Sequence, residues 1–118
     1  MKNAKSARIL VIDDETLFLG FMNHILESNG YSVTNAESGE EGMTQFNQHF
    51  FDLVITDFRM PTISGYDVAV HIRNSERCDT PIICVTGEGC IEKREVFNKI
   101  LLKPIKIKDM LKAVNDLC

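Results

Sequence analysis

Five polar side chains stand at the ends of four short, apolar, β-type runs. Asp13 and Asp14 follow ARILVI, Asp57 follows FDLVIT, Thr86 follows PIICV, and Lys103 follows KILL. The carboxyl ends of parallel strands meet at one edge of a sheet, where open α/β folds hold their ligands. The sequence therefore predicts one site built from three carboxylates, a hydroxyl and an amine.

Three carboxylates at one site need a compensating positive charge. At an effective dielectric constant of ~20, each close pair among Asp13, Asp14 and Asp57 would cost roughly 4 kcal/mol. Mg²⁺ suits such a group because it prefers hard oxygen ligands. Two adjacent acids alone are more often a solvated helix start, so it is their coincidence with Asp57 that favours a metal site.

Asp57 is the candidate nucleophile of this site. A carboxylate can accept a phosphoryl group to give an acyl phosphate. Lys103 would pair with Asp57 and then stabilise the transferring oxygens, while Thr86 would donate one hydrogen bond to them. Taken singly, Lys103 could equally be an exposed lysine and Thr86 a helix cap. Together the five residues predict Mg²⁺-dependent phosphoryl acceptance.

Length and composition restrict the class of protein. A chain of 118 residues with 44% hydrophobic content predicts a single domain with one core. The net charge of -4 argues against nucleic-acid binding that is mainly electrostatic. No apolar stretch approaches the ~18 residues of a membrane span, and the polar start lacks the apolar centre of a signal peptide. We therefore expect a cytoplasmic protein with free thiols, including a buried Cys84.

The charge is unevenly distributed along the chain. Residues 1–91 hold six Lys/Arg against thirteen Asp/Glu, whereas residues 92–118 hold seven against four. This basic segment is either a solvated surface or a strip that faces a partner.

Short β-type runs alternate with helical segments five times, which predicts a three-layer α/β sandwich. Continuous apolar runs indicate strands that are buried on both faces, and the weaker second run suits a sheet edge. The predicted strands cover about 8–12, 31–35, 52–56, 81–86 and 100–102, and the predicted helices cover about 15–28, 38–48, 66–74, 91–98 and 107–117.

These residues, in this order and each closing a strand, resemble the receiver domain of bacterial two-component response regulators. The resemblance covers nearly the whole chain. It includes the acidic pair Asp13-Asp14, ITDFRMPTISG around Asp57, CVTGE around Thr86, and the Lys103-Pro104 ending.

The resemblance implies a flavodoxin-like (βα)5 fold with strand order 2-1-3-4-5 and a cis Lys103-Pro104 bond. It implies Mg²⁺ bound by Asp13 or Asp14, Asp57 and the backbone carbonyl of Arg59. Asp57 would take its phosphoryl group from a histidine kinase or phosphotransfer protein, and the domain would catalyse only its own phosphorylation and dephosphorylation. The output would be a protein partner or an effector domain, without direct contact with nucleic acid or membrane. Residues 1–118 suit both a complete single-domain protein and a piece of a longer regulator or hybrid kinase.

The chain departs from the family pattern between Thr86 and Lys103. Only 17 positions separate these residues, so the fourth helix or its connections must be shortened. In the family, the threonine moves toward the phosphoryl group and an aromatic residue three positions before the lysine turns inward, but that position is Ile100 here. The usual helix 4, strand 5 and helix 5 output face is therefore expected to be atypical, and a pseudo-receiver without a switch is the alternative.

Two further hypotheses concern Arg59. A small-molecule phosphatase would need a second acid two residues after the nucleophile, where Arg59 stands. Arg59 and Glu88 carry opposite charges and stand two residues after Asp57 and Thr86, where both should line the pocket. One hypothesis is that they pair and restrict the approach of the attacking water. The other is that they are two independent solvated charges.

Overall fold

The protein forms one parallel sheet covered by helices on both faces. The structure, a computed structural model, describes residues 7–87 and 94–118. The strand order is β2-β1-β3-β4-β5, as the resemblance implied, with β2 at one edge. The strands are β1 (Arg8–Ile12), β2 (Ser32–Ala36), β3 (Leu53–Asp57), β4 (Ile82–Thr86) and β5 (Lys99–Leu102).

Four of the predicted helices are present. They are α1 (Thr16–Ser28), α2 (Gly39–Gln48), α3 (Gly65–Arg73) and α4 (Ile107–Leu117). The prediction of a helix over 91–98 falls partly on residues 91–93, which lie outside the described residues. Its described part is a single 3-10 turn at Arg94–Val96, so an α-helix reaching 98 is wrong. The short connection leaves Asn98 paired with Ile82 of β4 instead, through Asn98 N–H to Ile82 O at 2.8 Å.

Alternating side chains of the strands supply two separate cores. On β1, Ile9 and Val11 pack with α1 and α4, whereas Leu10 and Ile12 pack with α2 and α3. The same alternation on β3 and β4 explains why their apolar runs are continuous. The three-layer sandwich predicted from the sequence is confirmed.

Local signals set the helix boundaries. Ser38 accepts a hydrogen bond from Glu41 N–H at the start of α2, and Ser64 forms a reciprocal capping box with Asp67 at the start of α3. Gly30, with φ of 90°, reverses the chain after α1. Such caps are readable in sequence because each requires a particular residue type at a fixed offset.

Arg73, at the end of α3, binds both the last part of the shortened region and the loop that precedes β4. Its guanidinium has five N–H donors, and all five are used. Nε and Nη2 donate to Val96 O, Nη1 donates to Cys78 O and Thr80 O, and Nη2 also donates to Asn98 Oδ1, at 2.7–3.2 Å. One side chain therefore joins α3 to the segments that precede β4 and β5.

Two smaller expectations are also met. Cys84 is fully buried, and burial raises the pKa of its thiol to about 12. The Lys103-Pro104 peptide bond is cis.

Among the described residues, no helix combines the length and apolarity needed to span a bilayer.

Candidate functional site

The predicted site residues converge at the carboxyl edge of the sheet. Asp13 follows β1, Asp57 ends β3, Thr86 ends β4 and Lys103 follows β5. The backbone of Lys103 is tied to that of Thr86 by a 2.8 Å hydrogen bond from N–H to O. Parallel pairing of adjacent strands places these ends together, as expected for an α/β fold.

The acidic cluster is compact and partly buried. One carboxylate oxygen from each of Asp13, Asp14 and Asp57 lies within 4.8 Å of the others. Asp13 is fully buried, Asp57 is 9% exposed, and Asp14 is open to solvent. Backbone donors fix two of these carboxylates: Glu15 N–H binds Asp13 Oδ1 at 2.9 Å, and Phe58 N–H binds Asp57 Oδ1 at 2.8 Å.

Lys103 brings a positive charge to the site. Its Nζ lies 3.7 Å from Asp57 Oδ2, as the predicted pair requires. It is closer to Asp13 Oδ2, at 3.2 Å, and to Glu15 Oε1, at 3.1 Å. The same Nζ lies 4.5 Å from the ring centroid of Phe18, within cation–π range. Lys103 is therefore shared among three carboxylates and an aromatic face.

Burial and mutual repulsion perturb the acids of this cluster. Burial, followed by the charge of Asp13, raises the pKa of Asp57 to about 6, although Lys103 opposes the shift. Burial also raises the pKa of Asp13. For Lys103, burial lowers the pKa, but the hydrogen bond with Glu15 and the charges of Asp13 and Asp57 outweigh it and raise the pKa overall.

The donor set suits a hard divalent cation. Asp13, Asp14 and Asp57 present only carboxylate oxygens, and burial together with the charge of Asp13 raises the pKa of Asp57. Magnesium favours this combination of charge and oxygen ligands. Arg59 lies two residues beyond Asp57 with its side chain exposed. The role of its carbonyl as a ligand stays a prediction.

Sequence reasoning missed two residues that contact Lys103. Glu15 continues the acidic run after Asp14, and this continuation is the sequence signal that could have indicated it. Phe18 lies on α1 and packs partly against the core between the sheet and helices α1 and α4. No sequence pattern indicates that its ring also meets Lys103.

Other predictions near the site have mixed outcomes. Thr86 is 1% exposed at the end of β4. Ile100 is half-buried against the core beside α2 and α3, so an aliphatic side chain occupies the position expected for an aromatic residue. The Arg59–Glu88 pair stays a prediction, because Glu88 lies outside the described residues.

Gly65 holds the loop after β3 tightly against the acceptor strand. Its N–H donates to Phe58 O at 2.8 Å. A Cβ at Gly65 would overlap the carbonyl oxygen of Asp57 and lie 3.0 Å from the Cα of Phe58. Both are backbone atoms of the acceptor segment, so no side chain can move aside to make room.

We expect Gly65→Ala to lower the free energy of unfolding by about 2 kcal/mol, because the backbone must shift to admit the methyl group. Chemical denaturation measures the change. Gly20→Ala is the control, since nothing lies within 4 Å of a Cβ at that exposed helical position. The control should be stabilised by about 0.5–1 kcal/mol. Equal effects of the two substitutions would contradict the proposed steric requirement.

Comparison with known proteins decides the family. The response regulator receiver domain family matches residues 9–115. This chain belongs to that family. The receiver domain is 34% identical over 118 residues to the transcriptional regulatory protein GlrR of Escherichia coli, covering 95% of this chain and 26% of GlrR.

Two further relatives extend this comparison. The receiver domain is 33% identical to the CAI-1 autoinducer sensor kinase/phosphatase CqsS of Vibrio cholerae, covering 87% of this chain and 16% of CqsS. Its fold matches the response regulator TrrA of Thermotoga maritima, solved in complex with Mg(2+)-BeF, with a TM-score of 0.89 and 32% identity over 95% of this chain and 99% of that one.

Receiver domains bind Mg²⁺ at an acidic site and interact with histidine kinases or phosphotransfer proteins. This receiver domain has an acidic cluster, formed by Asp13, Asp14 and Asp57.

Proposed function

We propose that Asp57 accepts a phosphoryl group from a histidine kinase or phosphotransfer protein in an Mg²⁺-dependent reaction. The observation that carries this proposal is the position of Asp57, 9% exposed at the end of β3 and close to two other carboxylates and Lys103. Asp13 or Asp14, Asp57 and the carbonyl of Arg59 would hold the metal. Asp57, Thr86 and Lys103 would carry the chemistry.

The reaction forms one bond and breaks one. An oxygen of Asp57 attacks phosphorus while the phosphorus–nitrogen bond of the donor phosphohistidine breaks, and the electron pair remains on the imidazole nitrogen. Lys103 stabilises the developing negative charge, and the Thr86 hydroxyl donates a hydrogen bond to the transferred group. Bound Mg²⁺ would neutralise charge on the phosphoryl oxygens.

The surface beside the acceptor suits a protein donor better than a small-molecule substrate. Leu17, three residues after Asp14 in the sequence, is 90% exposed, and Phe21, one turn further along α1, is 39% exposed. Residues four apart share one face of a helix, so these two side chains form a small exposed apolar patch, and such a patch can mark a protein contact. This feature supports docking of the donor protein over the start of α1.

We infer that the output lies at β5 and α4. A groove of about 630 Å³ runs between these elements, and Leu102 and Ile107 near it are 53% and 47% exposed. Without a full helix over 94–98, this face differs from the usual helix 4, strand 5 and helix 5 surface. A downstream protein or a linked effector domain would bind there. A single receiver domain over 1–118 and a cytoplasmic location stay predictions.

The alternative is a pseudo-receiver that binds a partner without a phosphorylation switch. The aliphatic side chain at Ile100 favours it, because the usual inward-turning aromatic residue is missing there. The chemical residues weigh against it, since the acids and Lys103 are together in the fold.

Incubation with acetyl phosphate and Mg²⁺, followed by intact-mass measurement, tests the proposal. We expect one phosphoryl group on the wild type, none on Asp57→Asn, and one on the exposed control Asp109→Asn. Chelation of Mg²⁺ should abolish the modification. A wild type that stays unmodified would support the pseudo-receiver instead, and a modified Asp57→Asn would show that Asp57 is not the acceptor.

A further inference from the structure

A pair of aromatic rings links the acceptor strand to the shortened connection before β5. The rings of Phe58 and Phe97 meet edge to face, with centroids 6.3 Å apart and an interplanar angle of 70°. Phe97 is 7% exposed and belongs to the core beside α2 and α3, and Phe58 packs partly against the same core. Edge-to-face pairs of this kind have a preferred geometry, so each ring restricts the other.

Phe58 also makes direct contact with the phosphoacceptor. Its backbone N–H donates to Asp57 Oδ1 at 2.8 Å and lies 3.3 Å from Val85 O. The hydrogen bond to a carboxylate is the stronger type and orients the side chain of Asp57. Because the ring and the N–H belong to one residue, a rotation of the Phe58 backbone changes both the aromatic contact and the orientation of Asp57.

Phe97 is held firmly from the other side. Its N–H donates to Arg94 O at 3.0 Å. The residues on either side, Val96 and Asn98, both accept hydrogen bonds from Arg73. The ring of Phe97 therefore contacts Phe58 from a segment whose backbone is fixed by hydrogen bonds. Asn98, the next residue, directly precedes β5.

We propose that Phe97 is a positioning residue for the phosphoacceptor: through the Phe58 ring it fixes the N–H that orients Asp57. The same contact transmits the state of Asp57 to residues 96–98, a route that does not use Ile100. This inference rests on the proposed function of Asp57. Phosphorylation converts the carboxylate into a neutral acyl centre that bears the phosphoryl group, so its oxygens next to carbon become weaker acceptors for the Phe58 N–H.

The first test is kinetic. Phe97→Leu keeps an apolar side chain but removes the ring, and Phe58→Leu removes the other partner. We expect either substitution to lower the rate of phosphorylation at saturating acetyl phosphate and Mg²⁺ by about tenfold, because Asp57 is less well oriented. In this reaction Asp57 oxygen bonds to phosphorus and the electron pair of the broken phosphorus–oxygen bond leaves with acetate. Phe97→Tyr, which keeps the ring, should restore the rate.

The second test separates positioning from general destabilisation. NMR of the unphosphorylated protein should show that Phe97→Leu moves the Phe58 amide resonance and that Phe97→Tyr leaves it near its wild-type position. In the wild type, phosphorylation should also shift the amide resonances of Val96 to Asn98, and Phe97→Leu should remove that response. Phe51→Leu is the matched control, since Phe51 is 2% exposed in the same core but contacts Arg8 and His49.

The outcomes distinguish the two proposals. A wild type that takes up no phosphoryl group would overturn both. A phosphorylated wild type with an unchanged rate and Phe58 amide in Phe97→Leu would overturn the positioning role alone. The positioning role would also be overturned if Phe51→Leu slowed phosphorylation as much as Phe97→Leu, because the effect would then reflect lost core packing.

Discussion

Replacing Arg73 with Ala is expected to lower the free energy of unfolding by about 3 kcal/mol. Hydrogen bonds from a charged donor contribute more than neutral ones, and Arg73 makes five. The value stays well below the sum of five separate bonds because Arg73 is only half-buried, so water replaces some contacts. Urea denaturation monitored by circular dichroism measures the change.

Two variants make this expectation specific. Arg73→Lys keeps the charge but has three donors on a single nitrogen, so it should recover less than half of the loss. Lys108→Ala, at an exposed position of α4, should change the free energy of unfolding by less than about 0.5 kcal/mol. If Arg73→Ala were as mild as Lys108→Ala, the guanidinium would not be what supports the connection.

Asn98 provides a second measurement of the same support. Its Oδ1 accepts hydrogen bonds from Arg73 Nη2 and from Ile82 N–H, both at 2.8 Å. A double-mutant cycle between Arg73→Ala and Asn98→Ala should therefore give a coupling free energy of about 1 kcal/mol. Additive losses would show that the two residues act independently.

The sequence predicted the sheet and the site for one physical reason. Strands such as Leu53–Asp57 are buried on both faces, which requires runs of mainly apolar residues, and the polar residue at the end of each run marks the carboxyl edge. Asp13, Asp57 and Thr86 could be placed from that pattern, since β-sheet topology brings those ends together. Element boundaries were less exact. The predicted second, third and fourth strands each began one residue early, and the fifth began one residue late. For the second strand the reason is local, because Tyr31 N–H bonds to Leu26 O at the end of α1.

The contacts that depend on tertiary packing could not be predicted. Arg73 and Val96 are 23 positions apart, and no periodicity or motif connects a single arginine to a distant carbonyl. The same is true of Phe58 and Phe97 and of Phe18 beneath Lys103. Sequence identified a short connection between Thr86 and Lys103 but not the side chains that stabilise it.

Asp57→Asn is expected to stabilise the Mg²⁺-free protein by about 2–3 kcal/mol at pH 7.5. Burial, followed by the charge of Asp13, raises the pKa of Asp57 from 3.8 to about 6, so the folded protein holds this negative charge at a cost. Each pH unit of such a shift corresponds to about 1.4 kcal/mol. An amide of the same shape removes the charge, while Lys103 keeps Asp13 and Glu15 as partners.

The pH dependence gives this prediction its sign. Between the unfolded pKa of 3.8 and the folded pKa of about 6, the folded wild type binds more protons at Asp57 than the unfolded chain does. Its stability therefore rises, through this group, as pH falls across that window. Near pH 4 and below, protonated Asp57 carries no charge in the folded state, so the advantage of Asp57→Asn should largely disappear.

Urea unfolding in a chelator at pH 7.5, 6, 5 and 4 measures the difference between Asp57→Asn and the wild type. Glu76→Gln, which removes an exposed carboxylate, should change stability by less than about 0.5 kcal/mol at every pH. Saturating Mg²⁺ should narrow the gap at pH 7.5, since a ligand that binds the folded wild type stabilises it and the variant has lost one carboxylate of the cluster. If the stability difference between Asp57→Asn and the wild type were constant with pH, the ionised form of Asp57 would not destabilise the folded protein. The acidic cluster would then lack the uncompensated negative charge that favours binding of a cation.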